Sequence, residues 1–196
     1  MIRVLFIDLF GVLIGSNENS ILEYVGENSD CDLLTVKNVV FGELCMQLER
    51  KEISFNEYYQ MILSKLNCGI DFITFQSIWI NMEIGLLPMT RYISKYKKHF
   101  KLYILSNTTN RHIDIIRKKY PFISQFDGVI TSEQAGAHKP DKKIFEYAGQ
   151  VVNQKFKHCA FIDDCSFNVQ MALTLGINSH LYQKEDELKL FLDSLL

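Results

Sequence analysis

Short, continuous runs of apolar residues alternate along most of the chain with longer stretches in which apolar residues recur at helical spacing. The clearest run covers residues 3–7 and ends on Asp8. Continuous apolar character is typical of strands that are buried on both faces of a parallel sheet. The same pattern predicts further strands at residues 102–105, 128–130, 159–162 and, more weakly, 179–182.

Stretches with helical spacing separate these predicted strands. They cover residues 90–100, 111–120, 141–152 and 168–175, and Gly176 ends the last one. Strand and helix alternating with short connections predict an α/β fold with a doubly wound parallel sheet. In such sheets, ligands bind where the strands reach their carboxyl ends. We therefore expect any active site at that edge of the sheet.

The segment from residue 16 to residue 84 has a different pattern. Helical spacing dominates it, at residues 21–25, 33–48, 55–66 and 72–82, and we predict no strand within it. We interpret this segment as a small α-helical cap, inserted after the first strand and closing over the site. The predicted domains are a core of residues 1–15 and 85–196 and a cap of residues 16–84.

Composition and charge narrow the range of functions. Apolar residues make up 47% and charged residues 22%, as expected of a folded protein. The net charge of −2 gives no electrostatic reason to expect a nucleic-acid or anionic-membrane partner. The apolar start of the chain is interrupted at Asp8 and is too short to span a bilayer. Five cysteines without CxxC spacing argue against a zinc site or disulfide framework and favour a reducing compartment, so we predict a cytoplasmic protein.

Four polar segments converge on the carboxyl edge of the predicted sheet. The first begins at Asp8, directly after the first strand, and the second contains Ser106 after the second strand. The third begins at Lys139, and the fourth contains the pair Asp163 and Asp164. Any one of these segments is a weak signal, but four of them at strand ends are a strong one.

This set of side chains suits phosphoryl transfer. A carboxylate with a pKa of about 3.9, such as Asp8, is ionised without a base and can attack phosphorus. Because the approaching phosphate is also anionic, we expect a Mg²⁺ ion shared by Asp8 and Asp164, which offer hard oxygen ligands. Lys139 adds a cation, and the hydroxyl of Ser106 can hold phosphate oxygens. Gly11 permits close backbone approach beside the phosphate.

In their order and spacing, the four segments resemble the four motifs of the haloacid dehalogenase superfamily. The stretch from Lys139 to Gly176 is especially similar to the subfamily of sugar-phosphate phosphatases with helical caps. The resemblance implies a magnesium-dependent hydrolase that acts on a small phosphorylated metabolite through an aspartyl-phosphate intermediate. The sequence does not identify the substrate or the oligomeric state.

Residue by residue, the resemblance implies roles for the positions that match the family motifs. Asp8 would be the nucleophile, while Ser106 would bind phosphate and Lys139 would stabilise the nucleophile and the developing charge. The implied metal ligands are Asp8, Asp164 and the backbone carbonyl of Phe10, with Asp163 or Asn168 supporting the metal's water shell. The predicted substrate-binding residues are Ser106, Asn107 and Gly11.

One position departs from the family pattern. The phosphatases usually carry an aspartate, as general acid and base, two residues after the nucleophile, where this chain has Phe10. A phenyl ring transfers no proton, and such help is worth roughly 10²–10⁴-fold. The sequence therefore indicates slow turnover. His138 is a nearby candidate base, but we interpret it as a partly exposed loop residue.

Two alternatives stay open at this point. One is a catalytically weakened protein of this fold that binds a phosphorylated ligand or has a regulatory role, because Phe10 removes the proton relay. The other is a 2-haloacid dehalogenase, in which an aspartate attacks carbon without a metal and an aromatic residue often stands at the position of Phe10. The acidic pair Asp163 and Asp164 argues against the dehalogenase, because two carboxylates would repel its anionic substrate.

Overall fold

The computed structural model describes all residues from 1 to 196. The chain divides into two compact units. The first, called the core unit below, consists of residues 1–15 and 85–196, and the second, the helical unit, consists of residues 16–84. No helix in the chain is both long enough and apolar enough to cross a membrane.

Seven strands form two sheets. In chain order they are β1 (Val4–Ile7), β2 (Ile14–Ser16), β3 (Glu83–Leu86), β4 (Lys101–Ser106), β5 (Gly128–Thr131), β6 (Cys159–Asp163) and β7 (Asn178–Leu181). The larger sheet has five strands in the order β5-β4-β1-β6-β7, and all its pairings are parallel. The predicted doubly wound parallel sheet is therefore confirmed. The prediction of no strand at residues 16–84 is wrong at its two ends, where β2 and β3 pair with each other.

Eleven α-helices accompany the strands. In chain order they are α1 (Asn19–Glu27), α2 (Leu33–Val40), α3 (Glu43–Glu49), α4 (Phe55–Leu66), α5 (Phe72–Trp79), α6 (Ile93–Tyr96), α7 (Asn110–Lys119), α8 (Ser132–Ala135), α9 (Lys142–Val152), α10 (Ser166–Thr174) and α11 (Glu185–Ser194). Short 3₁₀ helices begin at Pro88 and Pro121, and a third covers Phe156–His158.

The central strands of the large sheet are buried and in register, which brings the residues after them to one edge of the sheet. All four residues of β1 and all five of β6 are buried, as their continuous apolar runs predict. Ile7 lies opposite Ile104 of β4 and Ile162 of β6. Because the strands are parallel and in this register, the residues that follow them emerge at the same edge of the sheet.

The helical unit is an α-helical bundle with an aromatic centre. Helix α4 begins with a capping box, in which Ser54 and Glu57 satisfy each other's backbone N–H groups. The helical spacing over residues 33–48 corresponds to two helices, because the chain breaks at Gly42 between α2 and α3. A Cβ atom at Gly42 would lie 2.1 Å from the carbonyl oxygen of Asn38, so the break requires glycine.

Two helices of the core unit also differ from the sequence prediction. The helix predicted over residues 90–100 is a 3₁₀ segment, Pro88–Tyr92, followed by the four residues of α6. Proline at the start fixes its own φ and offers no N–H, which suits the first turn of such a segment. Helix α11 was not predicted, although its buried residues Leu188 and Leu192 are four apart, on one helical face.

Candidate active site

Three carboxylates and one ammonium group meet at the carboxyl edge of the large sheet. Asp8 follows β1, Asp163 is the last residue of β6, and Asp164 comes directly after it. One oxygen from each of the three carboxylates lies within 4.8 Å of the others. The Nζ atom of Lys139 lies 2.8 Å from Oδ2 of Asp8 and 2.6 Å from Oδ2 of Asp163. The structure thus brings together residues from three of the four predicted motifs.

The carboxylate of Asp8 is held in one orientation from two sides. The backbone N–H of Leu9 donates to Oδ1 at 2.7 Å, and Lys139 contacts Oδ2. The residue is only 8% exposed. Burial raises the pKa of Asp8 well above its usual range, Lys139 opposes this shift, and the neighbouring charge of Asp163 adds to it. A further cation beside Asp8 would therefore favour its ionised form.

Lys139 is a fully buried cation, with only 2% of its surface exposed. Burial by itself lowers the pKa of a lysine, but the charges of Asp8 and Asp163 outweigh it and raise the pKa of Lys139. Its Nζ atom also lies 5.4 Å from the centre of the Phe161 ring, within the range of a cation–π contact. Lys139 is therefore charged and paired on two sides.

Asp163 is the anchor of Lys139. It is 0% exposed, and it accepts hydrogen bonds from Cys165 N–H at 2.8 Å and from Asn168 Nδ2 at 3.0 and 3.1 Å. Burial would raise the pKa of Asp163, but the charge of Lys139 and the hydrogen bonds from Lys139 and Cys165 outweigh burial and lower it. The sequence placed Asp163 or Asn168 in the metal's water shell. It missed this ion pair because β6 and the Lys139 loop are distant in the chain.

Asp164 lies against the backbone of Gly11. Gly11 has a positive φ of 80°, and a Cβ atom there would lie 2.0 Å from Oδ2 of Asp164. Any other residue would displace this carboxylate, which gives Gly11 a steric role beside the substrate-binding role predicted for it. Burial, followed by the charge of Asp163, raises the pKa of Asp164. Unlike Asp8 and Asp163, Asp164 is exposed.

Ser106 and Asn107 occupy the end of β4 and the position after it. Ser106 pairs in register with Thr131 of β5 and is buried. The side chain of Asn107 faces the loop that carries Lys139. Its Oδ1 accepts from the N–H of Lys139 at 2.7 Å, and its Nδ2 donates to the carbonyl of Lys139 at 3.0 Å. Both ends of the Asn107 amide therefore bind the backbone of Lys139.

Phe10 lies next to a histidine that the sequence analysis did not single out. The ring centres of Phe10 and His112 are 5.3 Å apart, with 31° between the ring planes. Phe10 is half-buried and packs against the apolar core of the sheet. His112 lies in the first turn of α7, and its Nδ1 is 3.4 Å from the hydroxyl of Thr108. An aromatic surface thus stands where the family pattern has a carboxylate.

These groups can bind a metal ion. When all three carboxylates are ionised, they and the ammonium group carry a net charge of −2, which a divalent cation would balance. Carboxylate oxygens are the ligands that Mg²⁺ and Ca²⁺ prefer. Because Gly11 has no side chain, the carboxylate of Asp164 lies against the backbone of Gly11. The carboxylates of Asp8, Asp163 and Asp164 therefore form one oxygen-rich cluster. The residues present therefore fit a hard divalent cation.

Fold and site together define a parallel α/β protein with an acidic, metal-competent centre at the carboxyl edge of its sheet. The family model for haloacid dehalogenase-like hydrolases matches residues 2–176. The chain belongs to the haloacid dehalogenase-like hydrolase family, which confirms the resemblance found in the motifs.

Curated relatives are longer than this chain. A drimenol cyclase from Aspergillus calidoustus is 22% identical over 194 residues, which are 96% of this chain and 35% of the cyclase. Acyl-CoA dehydrogenase family member 10 from Mus musculus is 26% identical over 141 residues, or 71% of this chain and 12% of that protein. The chain thus spans about a third or less of the length of these two relatives.

Solved structures share the fold. A haloacid dehalogenase (HAD) family enzyme from Bacteroides thetaiotaomicron is 22% identical with a TM-score of 0.80, covering 97% of this chain and 98% of that enzyme. A complex of the same enzyme with magnesium and inorganic phosphate has a TM-score of 0.77 at 22% identity, covering 94% and 96% of the two chains. The L-2-haloacid dehalogenase of Xanthobacter autotrophicus is more distant, with a TM-score of 0.62 at 14% identity and coverage of 99% and 83%.

Proposed function

We propose that this chain is a magnesium-dependent phosphatase that hydrolyses a small phosphorylated metabolite through an aspartyl phosphate on Asp8. One observation carries the proposal: the carboxylates of Asp8, Asp163 and Asp164 meet within 4.8 Å beside the buried ammonium of Lys139. Phosphoryl transfer needs a positioned nucleophile and compensation of negative charge, and this cluster offers both.

The proposed metal ligands are Asp8, Asp164 and the backbone carbonyl of Phe10. The bound ion would supply charge neutralisation for the phosphoryl oxygens and the carboxylates. Asp163 would act indirectly, because both of its oxygens already accept hydrogen bonds from protein groups. The magnesium and phosphate complex of the Bacteroides thetaiotaomicron enzyme supports this ligand chemistry for the fold.

In the first step, an oxygen of Asp8 attacks phosphorus and the bond between phosphorus and the ester oxygen breaks. The leaving oxygen takes the bonding electron pair. Lys139 holds Asp8 in position and balances charge on the transferring group, while Ser106 holds a phosphoryl oxygen. In the second step, water attacks the same phosphorus, phosphate leaves, and Asp8 is regenerated as a carboxylate.

Phe10 makes both steps harder. An alkoxide leaving group needs a proton, and the attacking water must lose one, but a phenyl ring exchanges neither. Aryl phosphates should therefore react faster than alkyl phosphates, because their aryloxide leaves as a stable anion. The same residue favours the second candidate function, a weakened ligand-binding or regulatory protein.

The helical unit is proposed to act as a cap that excludes water and bulky partners from the site. Its insertion point supports this role, because residue 16 follows Asp8 by only eight positions. The aromatic bundle forms an apolar cluster of its own, separate from the clusters of the core unit.

The test is an assay of the purified chain with p-nitrophenyl phosphate, with Mg²⁺ and with a chelator in excess. We expect product only with Mg²⁺. A parallel arm offers a 2-haloacid without metal and measures halide release. Halide release without metal would replace the proposal with a dehalogenase, and phosphate binding without turnover on any ester would replace it with the ligand-binding protein.

A further inference from the structure

The buried charge of Lys139 comes from a turn, and not from a helix or a strand. It lies between α8, which ends at Ala135, and α9, which begins at Lys142. A lysine has a flexible four-carbon stem, so the position of its Nζ depends on how firmly its backbone is held. No helix or strand hydrogen bonds hold the backbone at Lys139, and another group must do so.

Asn107 binds both backbone groups of Lys139 with one side chain. Oδ1 of Asn107 accepts the N–H of Lys139 at 2.7 Å, and Nδ2 donates to the carbonyl of Lys139 at 3.0 Å. These contacts connect the end of β4 to a loop more than thirty residues later in the chain. The main chain of Lys139 is therefore fixed to the central sheet that also carries Asp8 and Asp163.

His138 also contacts the carbonyl oxygen of Lys139. Its Nδ1 lies 2.6 Å from the carbonyl oxygen of Lys139 and 2.9 Å from Nδ2 of Asn107. The carbonyl oxygen of Lys139 can only accept a hydrogen bond, so the tautomer of His138 with a proton on Nδ1 fits the shorter contact. In that tautomer, Nδ1 of His138 and Nδ2 of Asn107 are both donors, and their contact is not a hydrogen bond.

We propose that Asn107 is a positioning residue, which holds the main chain of Lys139 so that its ammonium group bridges Asp8 and Asp163. The kinetic part of this inference rests on the proposed phosphatase function, and the positional part does not. Only an amide of this length offers an acceptor and a donor to the N–H and the carbonyl of one residue. Aspartate at position 107 would still accept from the N–H of Lys139. Its second oxygen, however, would face the carbonyl oxygen of Lys139 and could not donate to it.

The experiment measures the accessibility of Lys139 directly. The whole chain is treated with acetic anhydride, and peptide mass spectrometry compares acetylation of Lys139 with that of Lys142, whose side chain is 62% exposed. In wild-type protein we expect strong protection of Lys139, whose side chain is 1% exposed. In Asn107→Ala, the loss of two hydrogen bonds should raise the labelling of Lys139 roughly tenfold relative to Lys142.

Two further variants keep the test decisive. Asn107→Asp is nearly isosteric, retains one of the two bonds, and should give labelling between wild type and Asn107→Ala. Asn28→Ala removes an exposed hydrogen bond from an asparagine amide to the carbonyl of Tyr24 in the helical unit, and should leave Lys139 protected. With p-nitrophenyl phosphate, Asn107→Ala should lower kcat by roughly 10- to 100-fold with little change in KM.

Unchanged protection of Lys139 in both Asn107 variants would overturn the inference, whatever the kinetics show. An equal rise of labelling in Asn28→Ala would also overturn it, because general loosening would then explain the effect. If the labelling responds as expected but wild-type protein hydrolyses no phosphate ester, the proposed function fails and the positional role of Asn107 stands.

Discussion

The core unit and the helical unit bury different kinds of side chain. The core unit contains every buried polar or charged residue of the chain, namely Asp8, Ser106, Thr108, Thr131, Ser132, Lys139, Asp163 and Asn168. The helical unit buries only apolar and aromatic residues, together with Cys45. Buried charge is thus concentrated at one edge of one unit.

The two buried tyrosine hydroxyls of the helical unit donate to its own backbone. The hydroxyl of Tyr58 donates to the carbonyl of Val40 at 2.7 Å, and that of Tyr59 donates to the carbonyl of Ile70 at 2.6 Å. Around them, Phe55, Phe75 and Trp79 form ring contacts with centres between 5.8 and 6.2 Å apart. The centre of this unit therefore contains no buried charged residue.

The difference between the units bears on function. A buried ion pair is expensive to desolvate, and apolar residues of similar volume often stabilise a protein as well or better. The helical unit shows that this chain can build such an apolar core. Asp8, Lys139 and Asp163 in the core unit therefore point to chemistry, and changes there should affect turnover, while changes in the helical unit should affect stability.

The largest effect is expected for Asp8→Asn. An amide is a poor nucleophile and carries no charge, so we expect turnover of p-nitrophenyl phosphate to fall by about 10⁴-fold or more. The fold should persist, because asparagine retains the shape of the side chain. Steady-state kinetics and circular dichroism check both points. Activity near the wild-type level would remove Asp8 from the mechanism.

The next effect is expected for Asp164→Ala. Loss of a metal ligand should weaken Mg²⁺ binding and lower turnover by ~10³-fold, since metal ions contribute several kcal/mol to charge stabilisation. Asp164 is exposed, and its removal should hardly change the thermal stability of the metal-free protein. Calorimetric titration with Mg²⁺ is the measurement. Unchanged affinity would exclude Asp164 as a ligand.

In the helical unit, Phe75→Ala should act on stability instead. Phe75 is 0% exposed and contacts four other aromatic rings. A cavity of this kind costs about 3–5 kcal/mol. We expect faster hydrogen exchange throughout residues 16–84 and unchanged exchange in β1 and β6. Equal acceleration in both units would show that they unfold together and would weaken the comparison.

Phe10→Asp, in the core unit, should accelerate the hydrolysis of the proposed aspartyl phosphate. Wild-type protein should release a burst of p-nitrophenol and then turn over slowly, because the aspartyl phosphate lacks a base for its hydrolysis. A carboxylate at position 10 that reaches the site should accelerate the slow phase by about 100-fold. Stopped-flow absorbance measures both phases. Fast wild-type turnover without a burst, on alkyl and aryl esters alike, would mean that another group transfers the proton.

The smallest effect concerns pH and metal together. The pKa of Asp8 is raised in the folded protein, so the folded state binds a proton more tightly than the unfolded chain. Its contribution to the stability of the metal-free protein is therefore full below the unfolded pKa of about 3.9 and is lost as pH rises through the folded value. Mg²⁺ compensates the negative charge of ionised Asp8, so the rise in the melting temperature of the protein on adding Mg²⁺ should be larger at pH 8 than at pH 5. Equal thermal shifts at both pH values would contradict this.

Sequence pattern predicts the large sheet well, because its strands are continuous apolar runs whose ends carry polar residues. The pattern predicts the bounds of helices less well where a single residue determines the backbone conformation. Gly42 splits one helical pattern into α2 and α3, and Pro88 replaces a regular helix with a 3₁₀ segment. The paired strands β2 and β3 are short and lie far apart in the chain, so neither carries a local signal.

The sequence indicated residues that lie together at the edge of the sheet, but not the contacts between them. The motif positions indicated Asp8 and Asp164, because strand ends in a parallel sheet share one edge, and the third motif indicated Lys139. The partners that hold them were not predicted, since the ion pair of Asp163 with Lys139 and the contacts of Asn107 join separate segments. Such contacts depend on loop geometry, which residue patterns do not encode.

The most direct test of the account is to locate the phosphoryl group on the protein. Wild-type chain is mixed with p-nitrophenyl phosphate and Mg²⁺, quenched in acid within the burst, digested, and analysed by mass spectrometry. We predict phosphorylation of Asp8, dependent on Mg²⁺ and absent from Asp8→Asn. Phosphate release with no modified peptide, or with the phosphoryl group on another residue, would contradict the account.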